Sequence, residues 1–286
     1  MQDHQVSCMI LGDLNYPKLL KEISEPPYLL YVQWTIEESP YFSVIGSRKI
    51  SSYGERSISK IVADITPYFT IVSWWAYGCD TKAHEIALEN NTKTIIVVGT
   101  GIDIVYPAIN RKLHKRVLGN GWAILSIFPF EEPGNRYNFP MRNEVISWLS
   151  LGTLVVEAAE RSGTLITANM TLEQGRDLFV IPWEIDKNNS AGCNKLLRNG
   201  EAKIVTSAQD ILEEYNFLLQ KEKTSNHEIK DPLHKSICDF LSYEALSWDE
   251  IAHKMNTLIH KIIPAITLLE MKKILRKNKE WKYELC

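Results

Sequence analysis

The sequence predicts an α/β protein with a doubly wound, mostly parallel sheet, followed by a small C-terminal domain of winged-helix type. From Tyr41 to about Tyr215, short apolar runs rich in Val and Ile alternate with longer segments of helical period. Each apolar run is nearly continuous, as in strands that are covered on both faces. After a polar, charge-mixed stretch at 216–230, three short helical segments replace this alternation.

Six strands are predicted in the first part of the chain, and five helical segments lie between them. The strands are "YFSVIG", "FTIVS", "KTIIVVG", "WAILS", "TLVVE" and "LFVIP". The helical segments are "YGERSISKIVADI", "TKAHEIALEN", "NRKLHKRVL", "MRNEVISWLSL" and "LITANMTLEQGR". We therefore assign 1–40 to an N-terminal extension that packs on the sheet domain, 41–215 to that domain, and 216–230 to a linker.

The C-terminal domain is predicted at 231–286. Its first helix is "LHKSICDFLSY", and Ser247 and Glu250 have capping-box spacing at the start of the second. A third helix is predicted near Ile262 to Arg276, and Pro264 requires it either to begin close to that proline or to bend there. A basic run suits a phosphate-facing edge, although such a helix is at least as often a solvated face; it comprises Lys272, Lys273, Arg276, Lys277, Lys279 and Lys282.

Composition excludes several classes of protein. With 45% hydrophobic and 23% charged residues in a chain of 286, the sequence lacks the signature of disorder. Its net charge of −3 excludes global basicity, so any nucleic-acid site must be a local patch. Five scattered cysteines support neither a disulfide framework nor a metal site. No segment reads as a membrane span or a signal peptide, so we expect a cytoplasmic protein with no membrane partner.

The turns after the strands meet at one edge of the sheet, where α/β proteins bind ligands. In "VIGSRKISSYG", Ser47 and Arg48 stand where a dinucleotide site has further glycines. In "GTGID", Ile104 occupies the position of the third glycine, so the dinucleotide fingerprint is weak and no cofactor is predicted. The edge instead collects basic and amide side chains that suit a run of phosphates: Arg48, Lys49, Arg136, Arg142, Asn143, Arg161, Lys195 and Arg198.

Residues for covalent chemistry are sparse at this edge. His84 and His114 are isolated in the sequence, and Glu157 and Asp103 are the acidic residues expected there. This predicts a binding protein without catalytic residues.

The ordered motifs "GSR", "GTGIDIVYP", "NFPMRN" and "SGTLITA" give the chain a resemblance to the DNA-processing protein A family, also called Smf, the recombination mediators of bacterial natural transformation. The resemblance extends from "LNYPKLLKEISEPPYLLYV" to the terminal unit. Almost no chain precedes "LNYP", so the family's N-terminal helical module is expected to be absent.

The resemblance implies an extended Rossmann domain that binds and protects single-stranded DNA, forms a homodimer and loads the RecA recombinase. Carried over position by position, it implies DNA contacts from three turns and a helix: Ser47, Arg48, Lys49, Arg142, Asn143, Ser162, Gly163, Asn194 and Lys195.

The chain departs from the family pattern at the second strand. The family typically has S-G-L-A-R-G-I-D where this chain has "SWWAYGCD", so Trp74 replaces a glycine, Tyr77 an arginine and Cys79 an aliphatic residue. Ile127 similarly replaces an acidic residue. Two outcomes are open for Trp74: it offers a stacking platform worth about 1–3 kcal/mol per base, or it fills the crevice and weakens binding.

Two other functions remain open. Glu157 in "VVEAAERSGT" resembles the acidic residue of phosphoribohydrolases acting on nucleoside monophosphates, although their P-G-G-x-G-T-x-x-E run is incomplete here. The second open function is nucleotide sensing or DNA tethering without loading of the recombinase.

Overall fold

The structure is a computed structural model that describes residues 6–107, 110–215, 231–241, 246–255, 257–271, 275–278 and 282–285. It divides into two compact units, Met1–Asn216 and Phe217–Cys286. The linker predicted at 216–230 lies outside the described residues, as do Lys272, Lys273 and Lys279 of the basic run.

Within the described part of the first unit, nine strands form one sheet in the order β1-β2-β6-β5-β4-β3-β7-β8-β9. Strands β3 to β9 run parallel, and β1 and β2 form an antiparallel pair that joins the sheet where β2 pairs with β6. The strands are β1 Val6–Ile10, β2 Leu29–Gln33, β3 Tyr41–Ile45, β4 Thr70–Ser73, β5 Thr94–Val97, β6 Ala123–Ser126, β7 Gly152–Val155, β8 Asp177–Val180 and β9 Lys203–Ile204.

The helices of this unit connect the strands and cover the sheet. They are α1 Lys18–Lys21, α2 Ser52–Ile65, α3 Cys79–Glu89, α4 Arg111–Gly119, α5 Asn138–Leu149, α6 Gly163–Glu173, α7 Ala191–Arg198 and α8 Ala208–Glu214. The doubly wound, mostly parallel α/β fold predicted from the sequence is confirmed. The six predicted strands are β3 to β8, and the five predicted helical segments are α2 to α6.

The buried central strand β3 explains where a ligand crevice opens. All five residues of β3 are buried, in keeping with its continuous apolar run. The chain proceeds from β3 to β4, β5 and β6 on one side, and then returns with β7 on the other side of β3. The turns that follow β3 and β7 therefore diverge, which makes this edge the topological switch point of the sheet.

The described part of the second unit contains three helices and a two-stranded antiparallel sheet: α9 Pro232–Leu241, α10 Trp248–Lys254, α11 Ile259–Met271, β10 Leu275–Lys277 and β11 Tyr283–Leu285. The predicted capping box is present, because Glu250 N donates to Ser247 Oγ and Ser247 N donates to Glu250 Oε2. Helix α11 begins at Ile259, before the predicted Ile262, and contains Pro264.

Two cations of the predicted basic run have partners within the second unit. Lys282 Nζ lies 3.3 Å from Glu250 Oε1, and Lys277 Nζ lies 5.4 Å from the ring centre of Tyr283. Contact of this unit with DNA stays a prediction. None of the helices described in the two units combines the length and the hydrophobicity that a membrane span requires.

Candidate functional site

A cavity of about 470 Å³ opens at the switch point of the sheet. The turn after β3, the connection from β4 to α3, the helix α5 and the turn from β7 into α6 all contribute to its lining. Six of the nine predicted DNA-contacting residues line it together: Ser47, Arg48, Arg142, Asn143, Ser162 and Gly163. Arg136, which the sequence also placed at this edge, is a lining residue as well.

The other three predicted residues do not line the cavity. Lys195 Nζ lies 3.5 Å from Glu160 Oε1, in an ion pair whose side chains are 47% and 64% exposed. The side-chain amide of Asn194 donates to the carbonyl of Trp183 at 3.2 Å. The carbonyl of Lys49 accepts a hydrogen bond from Asn189 Nδ2 at 3.2 Å. The structure therefore brings together the predicted residues of the turn after β3, helix α5 and the start of α6. Lys49, Asn194 and Lys195 lie outside the cavity lining.

The Ser47–Arg48 turn is held by the start of α3. Cys79 N donates to the carbonyl of Ser47 at 3.2 Å, and Ser47 Oγ accepts from Lys49 N at 3.1 Å. A Cβ atom at Gly46 would lie 2.5 Å from Cys79 Sγ, so the single glycine of this turn is required by the close approach of that side chain. The turn is thus shaped by packing against α3 and not by a dinucleotide motif.

The second wall of the cavity is the N-terminus of α6. Ser162 caps this helix by accepting a hydrogen bond from Thr164 N at 3.0 Å, and Thr164 Oγ1 donates to the carbonyl of Gly46 at 3.2 Å. A Cβ atom at Gly163 would meet nothing within 4 Å. The positive end of an 11-residue helix therefore borders the cavity beside the Ser47–Arg48 turn.

Trp74 fills part of the crevice floor. Its ring centre lies 3.7 Å from the guanidinium carbon of Arg142, 5.1 Å from that of Arg48 and 5.5 Å from the ring centre of Phe139. The side chain is only 9% exposed, so it presents no open face for a base. Of the two outcomes considered for Trp74, the geometry matches filling of the crevice. Tyr77 is half-exposed and does not line the cavity.

Asp80, which was not among the predicted site residues, interacts electrostatically with Arg142 and Arg48. It is buried and lines the cavity, and its Oδ1 has no hydrogen-bond partner among the described residues. Burial raises the pKa of Asp80 to about 7, while Arg142, the backbone of Gly46 and Arg48 act to lower it. A sequence signal did exist, because Asp80 lies in the first turn of the helix that follows β4.

The buried side chains of Glu157 and His84 hold neighbouring segments of the backbone in place by hydrogen bonds. Glu157 is fully buried outside the cavity lining, where its carboxylate accepts hydrogen bonds from Ser51 N at 3.2 Å and from Ser51 Oγ. It thereby anchors the start of α2. His84 Nε2 donates to the carbonyl of Trp74 at 2.7 Å, and burial lowers the pKa of His84 to about 4. These contacts fix turns of the chain and leave neither side chain facing the cavity.

Replacing Asp80 with asparagine is expected to change how stability depends on pH. The native state binds the proton of Asp80 more tightly than the unfolded chain does, because its pKa rises from 3.8 to about 7. This proton stabilises the native state fully below about pH 4, and the stabilisation is lost as the pH rises through about 7. Native protein should therefore lose stability relative to Asp80→Asn as the pH rises. Urea unfolding from pH 4 to 8 measures the difference between native protein and Asp80→Asn, which we expect to change by about 1 kcal/mol per pH unit within this window.

Asp64→Asn is the control, because Asp64 is exposed on α2. A stability difference between native protein and Asp80→Asn that stays constant from pH 4 to 8 contradicts the assignment of a raised pKa to Asp80.

The sequence profile of the DNA recombination-mediator protein A family matches residues 7–216 of the chain. The chain is 42% identical over 214 residues to DNA processing protein DprA of Streptococcus pneumoniae, covering 74% of each protein. It is 39% identical over 207 residues to protein Smf of Synechocystis, covering 70% of this chain and 52% of that protein. The chain thus spans about half the length of this second relative.

Two solved structures share the fold. The X-ray structure of DNA processing protein A from Streptococcus pneumoniae has a TM-score of 0.70 at 40% identity, covering 73% of this chain and 74% of that one. The structure of DNA processing protein A from Helicobacter pylori, described for its single-stranded DNA binding mode, has a TM-score of 0.66 at 26% identity. It covers 77% of this chain and 98% of that one.

Proposed function

This chain belongs to the DNA recombination-mediator protein A family, and from that premise we propose that it binds single-stranded DNA through phosphates seated in the switch-point cavity. Membership makes it a DNA-processing protein of the recombination-mediator class. The Helicobacter pylori relative, whose structure is described with a single-stranded DNA binding mode, supports the choice of ligand.

The observation that carries the proposal is the pairing of a helix N-terminus with cationic side chains around one cavity. The start of α6 offers the backbone N–H of Gly163, and Arg48 and Arg136 add guanidinium groups at the same lining. These groups bind phosphate oxygens but do not distinguish one base from another. We therefore propose contact with the DNA backbone, which carries no sequence information.

The predicted residues outside the cavity, Lys49, Asn194 and Lys195, are available to contact DNA beside the phosphate in the cavity. Glu160, the partner of Lys195, follows the cavity-lining Ala159 directly in the chain. Both side chains of the ion pair are exposed, so a phosphate can replace Glu160 as the partner of Lys195 at little cost in free energy. We propose that Lys49, Asn194 and Lys195 contact linkages next to the one in the cavity.

The cellular role rests on family membership. We propose that the protein acts in the cytoplasm as a homodimer without cofactor or catalytic activity. It protects incoming single strands and loads the RecA recombinase on them during natural transformation. A pull-down with purified recombinase, with and without an oligonucleotide, tests this role separately from DNA binding.

A titration with fluorescent oligothymidylate and oligoadenylate at several salt concentrations tests DNA binding. We expect similar affinities for the two sequences, because the contacts are made to phosphates. We also expect the affinity to fall steadily with salt, by a slope of about 0.7 for each phosphate contact. Negligible affinity at low salt, or affinity that does not respond to salt, contradicts the proposal.

Replacing Arg48 with alanine is expected to weaken binding of both oligonucleotides about tenfold, a loss of about 1.4 kcal/mol. The salt slope should decrease by about 0.7, because one phosphate contact is removed. Arg56→Ala is the matched control, since Arg56 is an exposed arginine on α2 that does not line the cavity. Equal losses for the two variants would show that Arg48 acts only through the overall charge of the protein.

A further inference from the structure

Arg142 is a buried cation with an unused hydrogen-bond donor. It lines the cavity but is only 1% exposed. Its Nε donates to Asn143 Oδ1 at 2.9 Å, whereas its buried Nη1 has no partner among the residues that the structure describes. A buried donor without a partner costs about 1–3 kcal/mol, so this guanidinium retains a capacity for one more acceptor.

Trp74 is the residue against which Arg142 is packed. The distance of 3.7 Å from the guanidinium carbon to the ring centre is a close stacking contact. Arg48 lies against the same indole at 5.1 Å. Attraction to the aromatic ring offsets part of the repulsion between these two cations. Burial lowers the pKa of Arg142, the carboxylate of Asp80 acts to raise it, and Arg48 acts to lower it. The indole and its two arginines therefore form one packed group, which we call the Trp74 cluster.

The burial of Nη1 has a direct consequence for ligand binding. An atom that solvent does not reach is not reached by a phosphate oxygen either, until a neighbouring side chain moves. Arg48 has no such restriction, because it is exposed in the turn after β3. The two arginines of the Trp74 cluster therefore differ in access, although both line the cavity.

The residue at position 74 also bears on the different access of Arg48 and Arg142. A glycine at position 74, which the resemblance gives as typical, would place no side chain against Arg142. This chain has tryptophan there. The change adds an indole to the cavity lining without adding an exposed face for a base.

We propose that Trp74 sets the affinity of the cavity by withholding Arg142 from the bound strand. Arg48 contacts a phosphate, Arg142 stays stacked on the indole, and the protein binds with one phosphate contact fewer than its cavity can supply. This inference rests on the proposed binding of single-stranded DNA.

The test is a comparison of native protein, Trp74→Gly and Trp74→Phe by oligothymidylate titration at several salt concentrations. Trp74→Gly is expected to bind about tenfold more tightly at low salt and to have a salt slope steeper by about 0.7, as one added phosphate contact requires. Trp74→Phe keeps an aromatic cover and should retain the native slope. Adding Arg142→Gln to Trp74→Gly should restore the native slope.

A second measurement on the native protein keeps the test decisive if Trp74→Gly does not fold. Phenylglyoxal modification, read by mass spectrometry, should label Arg48 and leave Arg142 unlabelled, and oligothymidylate should protect Arg48. An Arg142 that is labelled in the native protein and protected by oligothymidylate overturns the inference. Binding with an unchanged slope in folded Trp74→Gly also overturns it, whereas no binding by any variant refutes the proposed function itself.

Discussion

Replacing Gly78 with alanine is expected to lower the free energy of unfolding by about 3 kcal/mol and to weaken DNA binding in the protein that still folds. Gly78 has φ of 82° and ψ of −125°, which side chains with a Cβ atom rarely adopt. A Cβ atom there would overlap the carbonyl oxygen of Ser47 and lie 2.8 Å from the carbonyl carbon of Arg48. These are backbone atoms of the cavity wall, so relief of the overlap must displace the turn that presents Arg48.

Urea unfolding measures the loss of stability, and oligothymidylate titration at a temperature where the variant is folded measures the loss of affinity. Gly119→Ala is the matched control, because a Cβ atom at the end of α4 meets nothing within 4 Å. It should leave both quantities unchanged within about 0.5 kcal/mol. A Gly78→Ala protein with native stability and native affinity would show that the turn after β3 is not held in place by α3.

Replacing Glu157 with glutamine is expected to destabilise the protein by about 3 kcal/mol. The fully buried carboxylate accepts hydrogen bonds from the backbone N–H and the hydroxyl of Ser51 at the start of α2. An amide group offers one acceptor oxygen in place of two and turns an N–H group toward a donor. The negative charge near the positive end of the helix is also lost.

This variant also separates the two interpretations of Glu157. A residue that holds α2 in place must lower stability when it is replaced, and it should lower DNA affinity only in proportion to unfolding. Glu160→Gln is the control from the same loop, because the Glu160 side chain is 64% exposed and its pair with Lys195 is worth at most about 1 kcal/mol. Native stability in Glu157→Gln, together with release of free base from nucleoside monophosphates by native protein and its loss in the variant, would restore the hydrolase interpretation.

The central part of the fold could be predicted because its local signals agree with one another. Strand β3, for example, is a continuous apolar run that is buried on both faces, and the Ser51 cap marks the start of α2. The elements that were missed have weaker signals. Strand β9 has only two residues, and both are exposed. Strand β1 pairs with β2, but its own residues do not alternate between buried and exposed, so its sequence does not indicate a strand.

The candidate site could be predicted only as far as the order of strands in space allows. Ser47 and Arg48 lie within three residues of the end of β3, and Gly163 begins the helix that follows β7, so sheet geometry brings them to one edge. The position of Lys195 depends on how α7 packs after an irregular connection, and the sequence does not encode that direction locally. Asp80 in α3, Arg142 in α5 and Trp74 in the connection after β4 meet only in the folded chain, so their contacts could not be predicted from the sequence.

A crystal structure of the protein with a short oligothymidylate tests the central claim most directly. The account predicts a phosphate in the switch-point cavity, within hydrogen-bond distance of the Gly163 N–H at the start of α6 and of the Arg48 guanidinium. It also predicts that Arg142 is still stacked on Trp74 in the complex. A strand bound on another face of the Met1–Asn216 unit, with the cavity free of phosphate, would contradict it.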